Sequence, residues 1–307
     1  MNLEEYHMES LSERIEKLSN LIETSDHIII GAGAGLSTSA GIEYGGERFK
    51  KHFADFIKKY DFTDMYTSGF YPFKSEEEKW AYWARHISVN NVDMPATSLY
   101  GKLLDLVEDK DYFVITTNVD DQFFKTGFDP DRVFATQGTY AKLQCSDACH
   151  DKLYDDADFV HECLEKTDAD LKIPSDLVPV CPVCGKSMMP YLRVDDKFIE
   201  DEEWHVHSDA YHNFVLDAKY DKTLLLEFGV GFNTPIIIRL PFDAYNMNFK
   251  NWNLARFNRS HLEYSVNIEG RYHLYPLEAS SRLPEGIMAS YLPFDEDIEC
   301  IIDKLLE

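Results

Sequence analysis

Hydrophobic residues in this chain fall into two patterns, and the first is a set of short unbroken runs. Such runs at 26–30, 112–116 and 223–227 predict buried strands, because they are rich in β-branched and other apolar residues. The first run leads directly into Gly31-Ala32-Gly33-Ala34-Gly35, and the third leads into Gly229-Val230-Gly231. Each of these strands therefore ends in a turn that is rich in glycine.

The second pattern is helical spacing, in which apolar residues recur every three or four positions. It marks residues 97–108 and the opening residues 1–20, where one face carries Leu11, Ile15 and Leu18. Residues 49–91 combine charges with aromatic residues at similar spacing, namely Trp80, Tyr82 and Trp83. Most aromatic residues of this kind are ordinary core, so we interpret 49–91 as a small helical module beside the main domain.

Alternation of helices with short apolar strands predicts an α/β fold, a Rossmann-like parallel sheet with helices on both faces. Three segments, 1–48, 92–140 and 197–307, are expected to form this domain. The helical module (49–91) and a small inserted module (141–196) interrupt it. The insert has sparse apolar content, an acidic run at 155–158 and two cysteine pairs, so a metal ion would give it a reason to fold.

Composition narrows the class of protein. The chain has 307 residues, 44% of them hydrophobic, and a formal net charge of −25 at pH 7. Excess negative charge repels phosphate backbones and anionic lipid headgroups, so we expect neither nucleic acid nor a membrane as the partner. The opening residues lack the basic start and apolar core of a signal peptide, and no stretch approaches the ~20 apolar residues of a membrane span. We therefore predict a cytoplasmic protein.

Four of the six cysteines form two close pairs, which favour a metal over disulfides in a reducing compartment. Tetrahedral Zn²⁺ is bound by four thiolates at such spacings, and no neighbouring group suggests a catalytic role for the metal. The predicted ligands of a structural Zn²⁺ are Cys145, Cys149, Cys181 and Cys184. His150 as a substitute ligand and four free cysteines are the alternatives.

The glycine-rich turn carries candidate chemistry. Glycines let backbone N–H groups approach a pyrophosphate, and Ser37, Thr38 and Ser39 offer caps for the helix that follows. Such a turn alone is weak evidence, because dehydrogenases, methyltransferases and plain tight turns share it. A dehydrogenase is disfavoured, since no acidic residue in a suitable context ends a second strand about 20 residues later.

Two further motifs make the turn specific. Thr116-Thr117-Asn118-Val119-Asp120 follows the second strand, and Gln137-Gly138 comes 17 residues after Asp120. Residues 33–42 match the pattern Gly-Ala-Gly-x-Ser-x-x-x-Gly-Ile. In this order and spacing the chain resembles the sirtuins over nearly its full length, and a sirtuin zinc module occurs at the same place as the cysteine pairs.

The resemblance implies that NAD is the co-substrate and assigns its contacts. Asn118 is expected to face the nicotinamide ribose and Asp120 the carboxamide, whereas a helix-capping pair is the structural alternative. Asp121 is expected to be a surface residue. The full set of expected cofactor contacts is Gly33, Ala34, Gly35, Ser37, Gly41, Asn118, Asp120, Gln137, Gly229 and Asn258.

The chain departs from the sirtuin pattern at several positions. The usual Pro-Asp-Phe-Arg, whose Arg lies near the nicotinamide, reads Glu43-Tyr44-Gly45-Gly46. Glu47 and Arg48 follow; both are expected to be solvated loop charges, and compensation for the missing Arg by one of them is the alternative. The third signature keeps Gly229 but loses its Thr-Ser pair. Outside these motifs, His205 and His207 would share one face of a strand, although ordinary surface histidines are the more common case.

Gln137 stands where sirtuins carry a histidine, and this substitution decides the predicted activity. An imidazole with a pKa near 6.5 can deprotonate ribose hydroxyls during deacylation, whereas an amide can only hydrogen-bond to them. Transfer of ADP-ribose to a protein nucleophile requires orientation and electrostatics but no such base. We therefore predict an ADP-ribosyltransferase with Asn118 and Gln137 as catalytic residues.

These features together resemble the macrodomain-linked sirtuins of microbial pathogens. That resemblance implies a lipoylated glycine-cleavage H-like carrier as the acceptor, a macrodomain ADP-ribosyl hydrolase as a functional partner, and a link to oxidative stress. A weak NAD-dependent deacylase and a non-catalytic sensor of NAD or ADP-ribose are the alternatives.

Overall fold

A computed structural model describes residues 9–276 and 287–307. In these residues the strands are β1 (His27–Ala32), β2 (Asp111–Thr116), β3 (Val133–Ala135), β4 (Gly138–Cys145), β5 (Tyr154–Asp155), β6 (Met188–Leu192), β7 (Thr223–Phe228), β8 (Trp252–Phe257), β9 (Tyr264–Ile268), β10 (Arg271–Tyr275) and β11 (Tyr291–Phe294). The α-helices are α1 (Leu11–Thr24), α2 (Ala34–Ser39), α3 (Gly46–Tyr60), α4 (Met65–Ser68), α5 (Glu76–Ile87), α6 (Ser98–Val107), α7 (Gln122–Lys125), α8 (Ala157–Lys166), α9 (Glu202–Asp217), α10 (Arg239–Asn248), α11 (Ile287–Ser290) and α12 (Ile298–Leu306).

The opening helix begins later than the periodicity suggests. It starts at Leu11, because Ser10 and Glu13 form a capping box that satisfies backbone N–H groups at the helix start. The predicted helix covers residues 1–20, of which 1–8 lie outside the described residues. None of the helices within 9–276 and 287–307 combines the length and the apolar character needed to cross a bilayer.

Six strands form one parallel sheet in the order β11-β8-β7-β1-β2-β3. All six residues of β7 and the last five of both β1 and β2 are buried. Strands covered on both faces carry unbroken apolar runs, which is the pattern that identifies these three in the sequence. The three predicted strands and the parallel sheet are therefore confirmed, although β1 continues through Gly31 and Ala32, which are predicted from the sequence to belong to the turn.

Helices cover both faces of the sheet, as predicted. One core lies beneath α1, α6 and α12 and includes Leu18, Leu103 and Ile301. The other lies beneath α9 and α10 and includes Val215 and Phe242. His205 and His207 belong to α9, so the expectation that they share a strand face is wrong. Two residues apart on a helix, they point in widely different directions and cannot act as a pair.

The six strands end in one row. Register pairs Ala135 with Thr116, Thr116 with Ala32, and Ala32 with Phe228. The row continues from Phe228 through Phe257 to Phe294. The chain runs from β1 outward to β3 on one side and later from β7 to β11 on the other. Ligands of open α/β sheets bind at such a reversal of strand order, outside the carboxyl ends of the strands.

The inserted segment has its own small sheet but shares its core. Strands β5, β4 and β6 form an antiparallel sheet. Leu143, Ile173 and Met188 from this segment pack in one cluster with Phe53 and Trp80 of the helical segment, residues 49–91. The sparse apolar content of the insert is thereby explained, because aromatic residues of α3 and α5 supply much of the surface it packs against.

A buried carboxyl group in the insert makes the stability of the protein depend on pH. The side chain of Asp156 is fully buried, and neither of its oxygens has a hydrogen-bond partner among the described residues. Burial, followed by the nearby carboxylates of Asp121 and Asp155, raises the pKa of Asp156 to about 7. The folded state therefore holds a proton that the unfolded chain releases near its ordinary pKa of 3.8, so stability falls as pH rises between these two values.

We expect Asp156→Asn to remove this penalty. The free energy of unfolding should rise by about 4 kcal/mol at pH 8, since folding raises the pKa from 3.8 to about 7 and one pKa unit corresponds to about 1.4 kcal/mol. The gain should shrink to nearly nothing at about pH 3, which lies below both pKa values, so that Asp156 is mostly protonated in the folded and the unfolded wild type. Urea unfolding at the two pH values measures the difference. Asp158 is exposed in the first turn of α8, just after Asp156, and provides Asp158→Asn as a control. An equal gain in Asp156→Asn at both pH values would contradict the prediction.

Candidate active site

Loops that follow five neighbouring strands meet at the carboxyl edge of the sheet. The first residue after each strand continues the sheet through one more backbone bond of 2.9–3.0 Å. These bonds run from Gly33 to Phe228, Thr117 to Ala32, Thr136 to Thr116, Gly229 to Phe257, and Asn258 to Phe294. The sheet itself therefore brings together the glycine-rich turn, the Asn118 loop, Gln137, Gly229 and Asn258.

The glycines of the turn allow two backbone segments to pack closely, and their amides are not free to bind a phosphate. The amides of Gly33 and Gly35 already donate to the carbonyls of Phe228 and Gly229. A Cβ atom on Gly35 would lie 2.6 Å from the Cα of Gly229, so two backbones touch where a side chain would not fit. Helix α2 begins at Ala34, and Ser37 lies inside it. The prediction that Ser37–Ser39 cap this helix is wrong.

A directed chain of hydrogen bonds joins Asn118 to Asp120. The Nδ2 of Asn118 donates to the carbonyl of Gly33 at 3.0 Å and to the hydroxyl of Tyr100 at 3.1 Å. Ser37 Oγ donates to Asp120 Oδ2 at 2.5 Å, so its contact with Tyr100, at 2.9 Å, uses the tyrosine proton. Each donor is thus committed, and the Oδ1 of Asn118 has no partner among the described residues.

Asp120 and Asp121 differ in their surroundings. Asp120 is buried, and its Oδ1 accepts the backbone amide of Gln122 at 3.1 Å. Burial raises the pKa of Asp120, and the hydrogen bond from Ser37 partly offsets that effect. Asp121 is a half-buried residue whose Oδ2 accepts from Thr139 at 2.6 Å and from Asn91 at 2.8 Å. The expectation that Asp121 is an ordinary surface residue is therefore wrong, since its side chain links two segments.

Gln137 lies two residues beyond the end of β3. Its carbonyl accepts the backbone amide of Arg193 at 3.1 Å, and the side-chain amide has no hydrogen bond to other described residues. Gly138 follows with φ +84°, and a Cβ there would lie 2.1 Å from the carbonyl oxygen of Tyr191. This glycine is required for the chain to leave the site and enter β4. The Gln137 amide is thereby presented on the same edge as Asn118.

No replacement for the missing imidazole base is evident among the described residues around this edge. His86 is the histidine within the neighbouring buried network, where its Nε2 contacts the hydroxyl of Tyr140 at 2.9 Å. Burial, followed by the charge of Arg48, lowers the pKa of His86 to about 3. Its imidazole is fully enclosed and neutral, so it cannot take a proton from a substrate in the edge crevice.

A buried charge cluster supports the loops after β7 and β8. Arg239 is fully buried and donates to the carbonyls of Val230, His261 and Glu263 at 3.3, 3.0 and 2.7 Å. Asn258 Nδ2 also donates to the Val230 carbonyl, at 2.9 Å, and its Oδ1 accepts the amides of Ser260 and His261. The Asn258 side chain therefore holds the loop together, and its contact with a ribose stays a prediction.

Arg48 is wrongly predicted as a solvated loop charge. It lies in α3 and donates to the carbonyl of Glu43 at 2.9 Å, to the carbonyl of Val89 at 2.7 Å and to Asn90 Oδ1 at 2.8 Å. Glu47 also lies in α3 rather than in a loop, although it is exposed as expected. Arg48 thus ties the segment that replaces Pro-Asp-Phe-Arg to the end of the helical segment.

The two cysteine pairs converge, as predicted. All four Sγ atoms lie within 4.8 Å of one another, with 3.6 Å between Cys145 and Cys184 and between Cys149 and Cys181. Tetrahedral Zn²⁺ with bonds of about 2.3 Å requires sulfur atoms about 3.8 Å apart, so the cluster fits this ion. His150 is outside the four-cysteine set but next to it: its Nδ1 lies 3.1 Å from Cys149 Sγ, and its Nε2 lies 2.9 Å from the hydroxyl of Tyr154. When bound, Zn²⁺ would cross-link the end of β4 and the loop after it to the loop before β6.

Several residues of the site leave no signal in the sequence. Tyr100 lies on the apolar face of α6, and Arg239 opens α10 with no motif around it. Their partners are distant in the chain; Ser37 and Tyr100, for example, are 63 residues apart. Contiguous motifs reveal residues that share a loop, whereas these residues act across loops. The assigned roles of the individual NAD contacts and catalytic residues stay predictions.

Comparison with solved structures defines the class of fold. A Sir2 homologue in complex with NAD superimposes with a TM-score of 0.56 at 16% identity, covering 98% of this chain and 95% of the other. A mutant Sir2 homologue in complex with ADP-ribose gives a TM-score of 0.54 at 14% identity, with coverage of 95% and 94%. The protein therefore has the Sir2 fold.

Sequence relatives define the family more narrowly. A protein ADP-ribosyltransferase of Staphylococcus aureus is 34% identical over 300 residues, which are 97% of this chain and 89% of the relative. A probable bifunctional ADP-ribose hydrolase/ADP-ribosyltransferase of Fusarium oxysporum is 30% identical over 230 residues, 72% of this chain and 38% of that protein. No family model matches the chain. With its Sir2 fold, the chain belongs to the sirtuin-type protein ADP-ribosyltransferases.

Proposed function

We propose that this protein is an NAD-dependent protein ADP-ribosyltransferase that releases nicotinamide and transfers ADP-ribose to a protein acceptor. The observation that carries the proposal is the composition of the sheet edge. Asn118 and Asp120 stand beside the glycine-rich turn, and the second residue after β3, Gln137, has a side-chain amide that cannot accept a proton. The neutral, enclosed His86 offers no substitute. Membership in a transferase family agrees with this composition.

The residues at the carboxyl edge of the sheet have different proposed roles: some bind NAD, and others orient its ribose hydroxyls without removing their protons. NAD, when bound, supplies an ADP-ribosyl group with nicotinamide as the leaving group. Asn118 is fixed through its Nδ2, which leaves Oδ1 to accept from a ribose hydroxyl. Asp120 keeps lone pairs for a carboxamide N–H, and Gln137 can orient ribose hydroxyls without removing their protons. Such preorganised groups accelerate a reaction by orientation and electrostatics.

The acceptor that best fits the resemblance is a lipoylated glycine-cleavage H-like carrier. A macrodomain ADP-ribosyl hydrolase that removes the modification is the proposed functional partner, in a response to oxidative stress. The name of the fungal relative supports this pairing, because it joins a hydrolase and a transferase in one protein. Net charge of −25 requires that docking of an acidic carrier depend on local basic groups. A cytoplasmic location belongs to the same proposal.

Intact-mass spectrometry tests the proposal directly. The protein is incubated with NAD and a lipoylated H-like carrier, and in parallel with NAD and an acetyl-lysine peptide. We expect the carrier to gain one ADP-ribose while the peptide is unchanged. Loss of acetyl from the peptide with an unmodified carrier would establish a deacylase instead. Tight NAD binding without nicotinamide release would favour a sensor.

We also expect the Gln137→His variant to acquire deacetylation of the acetyl-lysine peptide. A general base contributes about 10²–10⁴-fold, so the gain over the wild type should be about 100-fold. The new activity should rise with pH through about 6.5, because only the neutral imidazole accepts a proton. Rates between pH 5.5 and 8 measure this profile, with Gln137→Asn as the control that keeps an amide. An unchanged rate in the histidine variant would show that the substitution does not decide the activity.

A further inference from the structure

Four side chains form a continuous hydrogen-bonded chain beside the active site. The hydroxyls of Tyr44 and Tyr140 are 2.8 Å apart, and the Tyr140 hydroxyl is 2.9 Å from His86 Nε2. On the other side of the imidazole, Nδ1 is 3.3 Å from the hydroxyl of Tyr82. Tyr82, Tyr140 and His86 are buried, and Tyr44 is half-buried. We call this set the Tyr44–Tyr82 chain.

The hydrogen bonds of this chain all donate in the same direction, from Tyr44 towards His86 on one side and from His86 towards Met65 on the other. The Tyr82 hydroxyl donates to the carbonyl of Met65 at 2.6 Å, so it can only accept from His86 Nδ1. Nε2 then carries no proton and accepts from Tyr140, which in turn accepts from Tyr44. Every polar atom of the set has a partner, and the neutral imidazole required for this arrangement agrees with the lowered pKa of His86.

Backbone bonds close the chain into a ring. The Met65 amide donates to the carbonyl of Tyr44 at 2.8 Å. Tyr44 is therefore held at its hydroxyl through three side chains and at its carbonyl through Met65, the residue on which the chain ends. Arg48 holds the preceding carbonyl, that of Glu43, at 2.9 Å. The segment Ile42–Gly46 is thus fixed by contacts to α4, α5 and β4.

This segment is also tied to the chemistry of the edge. The Ile42 amide donates to the carbonyl of Ser37 at 2.8 Å, and the same serine donates its side-chain proton to Asp120 at 2.5 Å. The segment stands where sirtuins carry Pro-Asp-Phe-Arg near the nicotinamide. If the segment has the same place here, its rigidity would affect which nucleophile reaches the carbon that nicotinamide leaves.

We propose that the Tyr44–Tyr82 chain holds the segment Ile42–Gly46 closed over the nicotinamide end of the site, and that Tyr44 is a positioning residue which favours the protein acceptor over water. This inference rests on the proposed transferase function. In hydrolysis, a water oxygen bonds to C1′ of the nicotinamide ribose while the glycosidic bond breaks, its electron pair goes to nicotinamide, and the water proton goes to solvent. In transfer, the acceptor's nucleophile takes the place of water and releases its own proton.

The Tyr140→Phe variant tests this inference, because it removes the hydroxyl in the middle of the chain and keeps the aromatic ring. Tyr60→Phe is the matched control: Tyr60 belongs to the neighbouring aromatic cluster, and its hydroxyl is buried without a hydrogen-bond partner among the described residues. With saturating NAD and the lipoylated H-like carrier, free and carrier-bound ADP-ribose are quantified together. We expect the ratio of free to bound product to rise about tenfold in Tyr140→Phe, as for a lost hydrogen bond, and to stay at the wild-type value in Tyr60→Phe.

Two further measurements separate positioning from general damage. Tyr44→Phe should raise the ratio as Tyr140→Phe does, and the double variant should add nothing, since both changes break one chain. Hydrogen exchange of the Ile42 and Met65 amides should be faster in Tyr140→Phe than in Tyr60→Phe, when each variant is measured at the same temperature difference below its own melting temperature. A wild-type product ratio with wild-type exchange in Tyr140→Phe would overturn the inference. Failure of the wild type itself to release nicotinamide would instead refute the proposed function, on which the inference rests.

Discussion

Cys181→Ser is expected to abolish zinc binding and to unfold the insert together with part of the helical segment. The Cys181 thiol is buried and one of four converging ligands. Structural Zn²⁺ contributes about 10–16 kcal/mol of apparent binding free energy in zinc-finger peptides, which far exceeds what this shared core can replace. Because Phe53 and Trp80 pack against the insert, we expect the loss to spread to α3 and α5 and to lower transfer at least about 100-fold.

Metal analysis, thermal unfolding and carrier modification measure the three parts of this expectation. Cys300→Ser is the matched control, since Cys300 is exposed on α12 and outside the cluster. It should keep one zinc ion per chain and the wild-type melting temperature. Dialysis of the wild type against a chelator should reproduce the serine variant. Full zinc content and activity in Cys181→Ser would show that His150 or a water completes the site.

The second large effect is expected from Asn118→Asp, which preserves shape and removes both donors. Bonds to the Gly33 carbonyl and the Tyr100 hydroxyl are lost, and a carboxylate is placed beside a carbonyl oxygen. Two lost bonds and this repulsion amount to about 3 kcal/mol, so kcat/KM for nicotinamide release should fall about 100-fold. Steady-state rates and NAD titration calorimetry measure the effect on reaction and on binding.

Asn20→Asp controls for the added charge. Asn20 is exposed on α1, and its side chain makes no hydrogen bond to other described residues. The control should keep wild-type rates and affinity. If Asn118→Asp releases nicotinamide as fast as the wild type, the Asn118–Asp120 network would be a structural feature of the loop, and its predicted catalytic role would be wrong.

The sequence predicts the centre of the sheet better than its edges. Strands β1, β2 and β7 are buried on both faces and carry unbroken apolar runs, so their pattern is visible. The pattern does not mark the outer strands. β3 has only three residues, β8 includes Arg256, and β11 includes Pro293. Arg256 sits in a strand because its guanidinium meets the buried carboxylates of Glu227 and Asp243 at 2.6–2.8 Å.

Residues of the site that lie close together in the chain are predicted from the sequence, whereas those that come together only in the fold are missed. Asn118, Asp120 and Gln137 are identified because each lies in a short motif with known spacing. Tyr140 escapes notice, since it bonds Tyr44 from 96 residues away and looks like any aromatic residue of a strand. The reason assigned to Gly35 is also incomplete: the sequence suggests an open amide for a phosphate, whereas the structure uses that amide and packs the glycine against Gly229.

The shared row of strand ends has a consequence for how such an enzyme can change. Backbone bonds of the sheet fix the first residue of each loop, so a substitution one position further replaces a chemical group without moving the neighbouring loops. Gln137, the second residue after β3, would set the type of reaction, and the loops after β1, β7 and β8 would set cofactor affinity. These two traits are then separable: mutation or laboratory selection can alter one while the other is retained.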